Sequence, residues 1–306
     1  MQINIQELQE KTKKLKEEKN AVILVHNYQR PEIQDVGDYV GDSLGLSKEA
    51  ASTDSNLIVF CGVRFMAETA KILSPEKKVL IPRPKQEVEC PMAGMVSVQG
   101  LKKLRQKYPE ANIVSYVNTN ADVKAESDVC CTSSNAVKVV ENVKSDQIIF
   151  VPDKNLASYV SRFVNKEIIP WDGYCYVHDR ISAEEVSKAK QDHPDALLLV
   201  HPECRPSVVN RADRVLSTGG LVSISKNSDH KTFLIGTEEG IIYRLKKENP
   251  NKKFYAAGIP KVCINMKKIQ LEDVYKALKD EKYKIELSET IIKEAKTALD
   301  RMLEYV

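Results

Sequence analysis

The sequence predicts an α/β protein built from three look-alike units, and three observations carry that expectation. First, short apolar runs recur: AVILVH (21–26), NLIVF (56–60), KVLIP (78–82), NIVSYV (112–117), QIIFV (147–151), EIIPW (167–171), ALLLVH (196–201) and TFLIG (232–236). Several are apolar throughout rather than alternating, as expected of strands buried on both faces of a helix-covered parallel sheet. Second, helix-like stretches such as FMAETAKILS and NAVKVVENVK separate them, giving repeated strand–helix units. Third, one order of features returns three times along the chain.

Three strands end in polar groups: His26-Asn27-Tyr28, Tyr116-Val117-Asn118 and His201-Pro202-Glu203. Each is followed, 16 or 17 residues on, by a small hydroxyl-rich turn: Gly41-Asp42-Ser43-Leu44, Thr132-Ser133-Ser134-Asn135 and Ser217-Thr218-Gly219-Gly220. Another strand and helix follow. Each unit closes on a short apolar run and a cysteine, at Cys90, Cys175 and Cys263, spaced 85 and 88 residues apart. Such self-similarity marks an ancient triplication. The units are placed at 20–105, 106–190 and 191–268. The stretches 1–19 and 269–306 read as terminal helices packed on the body. Ile5, Leu8 and Leu15 fall near one face of the first, and Ile291, Ala295, Ala298, Leu299 and Met302 recur at helical spacing in the last.

Composition narrows the function. Lys and Arg total 46 against 43 for Asp and Glu, so the net charge of +3 and the lack of a dense basic run argue against nucleic acid. No stretch approaches the roughly 20 apolar residues of a membrane span, and the charged start lacks the apolar middle of a signal peptide. The expected compartment is the cytoplasm. Seven cysteines, an odd number without any CxxC pair, then argue against a disulfide framework, a zinc ribbon or a ferredoxin motif.

The repeat itself points to a central site. Ligands of open parallel sheets bind beyond the carboxyl ends of the strands. Units arranged about a pseudo-threefold axis would bring three polar strand ends and three hydroxyl turns to one cavity. Each would also deliver one cysteine. Three thiolates around an axis leave one metal position without a protein ligand, as a catalytic iron–sulfur cluster requires. Helix starts rich in Ser and Thr suit phosphate and carboxylate.

The segments VHNYQRPEIQDVGDYVGDSLGLS, FCGVRFMAETAKILSPEKKVLIP, SYVNTNADVKAESDVCCTSSNAV, PDKNLASYV, WDGYCYVH, HPECRPSVVNRAD, IGTEEGIIYRLKKENPNKKFY and CINMK resemble the quinolinate synthase family, the A protein of the bacterial and archaeal NAD pathway. They span about residues 20–268. The resemblance implies three pseudo-threefold-related α-β-α sandwich domains with short parallel sheets and an active site at their junction. It implies a [4Fe-4S] cluster on Cys90, Cys175 and Cys263, with one open iron. It implies condensation of iminoaspartate with dihydroxyacetone phosphate to quinolinate, phosphate and water. An unstable imine invites a transient contact with the enzyme that makes it. By the same resemblance Ser43, Ser133, Ser217 and Thr218 contact substrate and phosphate, and His26, Tyr28, Tyr116 and Asn118 line the pocket.

His201 and Glu203 stand two apart at a strand end, where regular alternation would turn both to one side. Glu203 is the expected general base or acid, His201 an acid or orienting donor, and Tyr28 and Tyr116 proton relays. One departure is the stretch RPKQEVEC before Cys90, where the family shows an acidic, Gly-containing loop. His178, His193 and His230 read as structural, and Cys61, Cys130, Cys131 and Cys204 as packing. Rival readings are an iron–sulfur dehydratase for another small phosphorylated or dicarboxylate substrate, an iron–sulfur carrier, and a metal-free sugar-phosphate binder.

Overall fold

A computed structural model describes residues 4–305. Residues 1–3 of the expected first helix lie outside that range. Among the described residues, twelve strands form three parallel sheets. The first contains β1 (Ala21–His26), β2 (Tyr39–Gly41), β3 (Leu57–Cys61) and β4 (Lys78–Leu80), in spatial order β2-β1-β3-β4. The second contains β5 (Asn112–Tyr116), β6 (Val129–Cys131), β7 (Gln147–Val151) and β8 (Glu167–Pro170), in order β6-β5-β7-β8. The third contains β9 (Leu197–Val200), β10 (Arg214–Val215), β11 (Thr232–Gly236) and β12 (Lys253–Ala256), in order β10-β9-β11-β12. One topology is thus used three times, and every expected apolar run becomes a strand. Strands β2 and β10 did not stand out, because two or three residues at a sheet edge carry little apolar signal.

A finer repeat supports the triplication. Asp38, Asp128 and Asp213 each precede the edge strand of their unit. Their backbone N–H groups donate to the carbonyls of Ile23, Ile113 and Leu198, all at 3.0 Å. Their carboxylates accept the N–H of those same residues at 2.8, 2.7 and 2.8 Å. Each also pairs with a cation, from Lys16, Arg105 and Lys190 respectively. A buried-side N–H that no strand can reach is satisfied by one aspartate in each copy.

Apolar side chains fill both faces of the sheets. The second sheet, for example, packs Val114, Ile148 and Phe150 on one side and Ile113, Ile149 and Val151 on the other. The helix Leu271–Asp280 covers the first unit through Leu271, Val274 and Leu278. The helix Glu289–Glu304 joins the core of the second through Ala295, Ala298, Leu299 and Met302. In the first helix, Ile5–Glu18, the buried face is Leu8 and Thr12 with Leu15 beside it. Ile5 is 57% exposed and lies off that face. No helix among the described residues is long and apolar enough to cross a membrane.

Candidate active site

Parallel strands point their carboxyl ends one way, and here those ends face a common cavity of about 60 Å³. The first unit contributes His26 and Tyr28, the second Tyr116 and Asn118, the third His201 and Glu203. Ser43, Ser133 and Thr218 line the same space, as do Cys90, Cys175 and Cys263. Ser217 does not. Its Oγ caps the helix Thr218–Asn227 through Gly220 N at 3.2 Å and bonds Ser134 Oγ at 2.7 Å, facing a neighbouring cleft. The cap positions also differ from a simple Ser/Thr rule: Asp42 caps the helix that Ser43 begins, and Asn135 precedes the helix at Ala136.

Glu203 is the electrostatic centre. Its Oε2 lies 2.7 Å from His178 Nδ1 and 3.2 Å from His201 Nδ1. The two imidazoles stack with centroids 4.5 Å apart and planes 20° apart. His178 Nε2 lies 2.8 Å from Thr237 Oγ1, which lies 2.6 Å from the Tyr28 hydroxyl. His201 Nε2 lies 3.2 Å from Ser133 Oγ. A chain of polar groups therefore runs Tyr28–Thr237–His178–Glu203–His201–Ser133 and crosses all three units. Strand alternation does not place His201 and Glu203 together, since β9 ends at Val200. A turn does so, with Glu203 N donating to His201 Nδ1 at 3.3 Å.

Protonation follows from burial and neighbours. Burial opposes ionisation of Glu203, but His178 and then His201 hold its carboxyl below the ordinary range. Burial, then the charge of His201, pushes the His26 imidazole down to about 3. Burial and then His178 lower His201. Burial and the Glu203 charge push the Tyr28 and Tyr116 hydroxyls well up, so both stay protonated. Glu203 Oε1 and Asn118 Oδ1 are buried without a hydrogen-bond partner. Such groups are costly unless something in the cavity meets them.

His178 is the residue that sequence reasoning underrated. It sits in the first turn of the helix Tyr176–Asp179, three residues past Cys175, and a Cys-x-x-His spacing was the available signal. Thr237 carried no such mark.

The cysteines stand on loops after the last strand of each sheet. Each loop is docked by one backbone bond: Arg64, Lys154 and Glu239 N donate to the carbonyls of Val88, Gly173 and Lys261 at 2.9, 2.8 and 3.0 Å. Every acceptor lies two residues before a cysteine. Gly173 has to be glycine, since a Cβ there would sit 2.4 Å from the Pro152 carbonyl oxygen. The RPKQEVEC departure leaves this dock intact. Burial pushes the Cys90 thiol up to about 12 and raises Cys175 and Cys263 as well. Cys61, Cys130, Cys131 and Cys204 are fully buried within the apolar cores.

Two donor sets meet here. Donor atoms of Cys175, His178 and Glu203 lie within 4.8 Å of one another and could hold one ion. The three cavity sulfurs form no such tight group among the described residues. A cluster does not need one, since each thiolate would bind a different iron. The thiol donors, their supply by three separate units and their enclosure suit an iron–sulfur group.

Fold and site together define a three-unit α/β enzyme with a thiol-lined, imidazole–carboxylate centre. Residues 10–304 match the family model described as Quinolinate synthetase A protein. Relatives named quinolinate synthase include those of Alkaliphilus metalliredigens (53% identical, covering 95% of this chain and 96% of the relative). Those of Caldicellulosiruptor bescii (53%, 99% and 99%) and Methanoregula boonei (50%, 97% and 97%) match similarly. The chain belongs to the quinolinate synthase family of NAD biosynthesis.

Proposed function

We propose that this enzyme condenses iminoaspartate with dihydroxyacetone phosphate to quinolinate, phosphate and two waters, with a [4Fe-4S] cluster on Cys90, Cys175 and Cys263. The observation that carries the reading is the meeting of one cysteine and one hydroxyl turn from each unit at one enclosed cavity. Bound there, the cluster would supply a Lewis-acidic iron free of protein ligands, able to polarise a substrate oxygen.

The remaining work falls to side chains. The substrates carry two carboxylates and a phosphate. Ser43 and Thr218 offer hydroxyls at the starts of the ten-residue helices Ser43–Ser52 and Thr218–Asn227, where free N–H groups favour anions. Ser133 and Asn118 add polar contacts, and Ser217 supports this wall from behind by capping its helix. Glu203, held ionised by His178, accepts the protons lost in enolisation and dehydration at its free Oε1. His201, whose Nδ1 accepts the Glu203 N–H, presents Nε2–H as an orienting donor. Tyr28 and Tyr116 stay protonated and act as acids. Enclosure by Val63, Phe65 and Met66 keeps water from the imine.

A second reading, one divalent ion on Cys175, His178 and Glu203, rests on their 4.8 Å grouping. It leaves Cys90 and Cys263, which line the same cavity, without a part, so the cluster reading is preferred. An anaerobic quinolinate assay with iron and sulfide counting separates the two. Quinolinate formation with sulfide matching iron supports the proposal. A single ion without sulfide, or no product from these substrates, overturns it.

A further inference from the structure

We propose that Asp153 and Glu238 are positioning residues that hold the Cys175 and Cys263 loops at a fixed aim, while the Cys90 loop is held by a different device. The inference rests on the reading of these cysteines as metal ligands.

The repeat identifies the position. Arg64, Lys154 and Glu239 make the shared docking bond, so the residues just before them, Val63, Asp153 and Glu238, are equivalent. Asp153 Oδ2 accepts the Cys175 N–H at 3.0 Å, and Glu238 Oε1 accepts the Cys263 N–H at 3.0 Å. Both side chains are 0% exposed. The second oxygens are also spoken for: Asp153 Oδ1 takes Leu156 N at 2.7 Å and Glu238 Oε2 takes Gly240 N at 2.6 Å. Each carboxylate thus locks a ligand residue to the start of the neighbouring element. A buried carboxylate is costly to the fold, a cost that Lys267 Nζ, 3.2 Å from Glu238 Oε1, offsets in part for Glu238. Val63 shows that the same docking bond forms with an isopropyl group in that place, so the fold alone does not require the acid.

At the first unit the fastening comes from elsewhere. The Glu89 carboxylate pairs with Arg64 at 2.6 Å, and the Glu89 carbonyl accepts from the Asn265 amide, two residues past Cys263. Tyr176 OH likewise accepts Ile264 N at 2.8 Å, tying the second loop to the third. Partners behind a metal ligand set its orientation, and their loss typically weakens metal binding about 10–100-fold.

The test uses Asp153→Asn and Glu238→Gln, with Asp213→Asn as a control that removes a backbone-bonded carboxylate far from the cysteines. Amide hydrogen exchange in the iron-free chain is expected to quicken at Cys175 in Asp153→Asn and at Cys263 in Glu238→Gln. Release of iron from the loaded protein to a chelator is expected to accelerate roughly 10-fold or more in both. Asp213→Asn should lower the melting temperature without speeding iron release. Glu238→Asp, which shortens the reach, stands in where Glu238→Gln does not accumulate folded. Unchanged exchange at both amides, or equal acceleration of iron release by Asp213→Asn, overturns the proposal. Wild-type protein that takes up no iron and sulfide would defeat the functional reading, while the exchange result would still judge the positioning role.

Discussion

The first and third units put different chemistry on equivalent strand ends. Both carry, at the end of their first strand or one residue past it, a histidine whose Nδ1 accepts the N–H two residues on, from Tyr28 at 3.2 Å and from Glu203 at 3.3 Å. Both docking loops use the same backbone bond. Yet the first unit presents His26 and Tyr28 to the cavity there, with Val63, Phe65 and Met66 beside them, and the third presents His201 and Glu203. The copied scaffold fixes where a side chain stands, and divergence decides what it does there. An apolar wall facing a carboxylate wall makes the charge on Glu203 expensive to hold. His178, delivered by the second unit, offsets that cost at 2.7 Å.

Changes at the polar wall should therefore cost activity, and changes at the shared scaffold should cost stability. The largest effect is expected for Glu203→Gln: quinolinate formation falls by about 10²–10⁴-fold, the range of a lost general base, with iron content unchanged. A variant that keeps its rate would dissolve the contrast between the walls. Next comes the scaffold. Asp38→Ala, Asp128→Ala and Asp213→Ala should each cost about 1–3 kcal/mol by denaturant unfolding, because a strand N–H loses its acceptor. The three values should agree closely if the units are true copies.

A different effect is tied to pH. His26 is held at about 3 in the folded protein against an ordinary 6.5. The unfolded chain then takes up a proton below 6.5 that the folded chain refuses. Stability from this site is complete above 6.5 and falls by roughly 1.4 kcal/mol per pH unit as pH drops towards 3. His26→Gln should flatten the acid limb of a stability–pH curve; an unchanged slope would mean that His26 charges without penalty. The smallest effect is expected for Tyr28→Phe, which breaks the 2.6 Å link to Thr237 and should lower the rate about tenfold.

Much of this layout was legible in the sequence. The central strands were, because their burial on two faces writes long apolar runs. The three cysteines and the polar strand ends were, because triplication repeats their spacing. Three kinds of feature were not. Strands β2 and β10 are too short to carry a pattern. Asp38, Asp128 and Asp213 look like ordinary turn aspartates until their shared bond to a central strand is seen. His178 was hidden because its partners, Glu203 and Thr237, belong to another unit, and no local pattern records a contact made across a junction. Ser217 shows the reverse: its spacing matches the other turns, but its hydroxyl is taken by its own helix start.

Anaerobic counting of iron and sulfide per chain bears most directly on the site, in the native enzyme and in Cys90→Ala, Cys175→Ala and Cys263→Ala. The native chain should hold the two in equal amounts, near four of each. Each variant should lose most of both, along with quinolinate formation. Variants that keep full iron, sulfide and activity would show that these three sulfurs do not jointly hold the catalytic group.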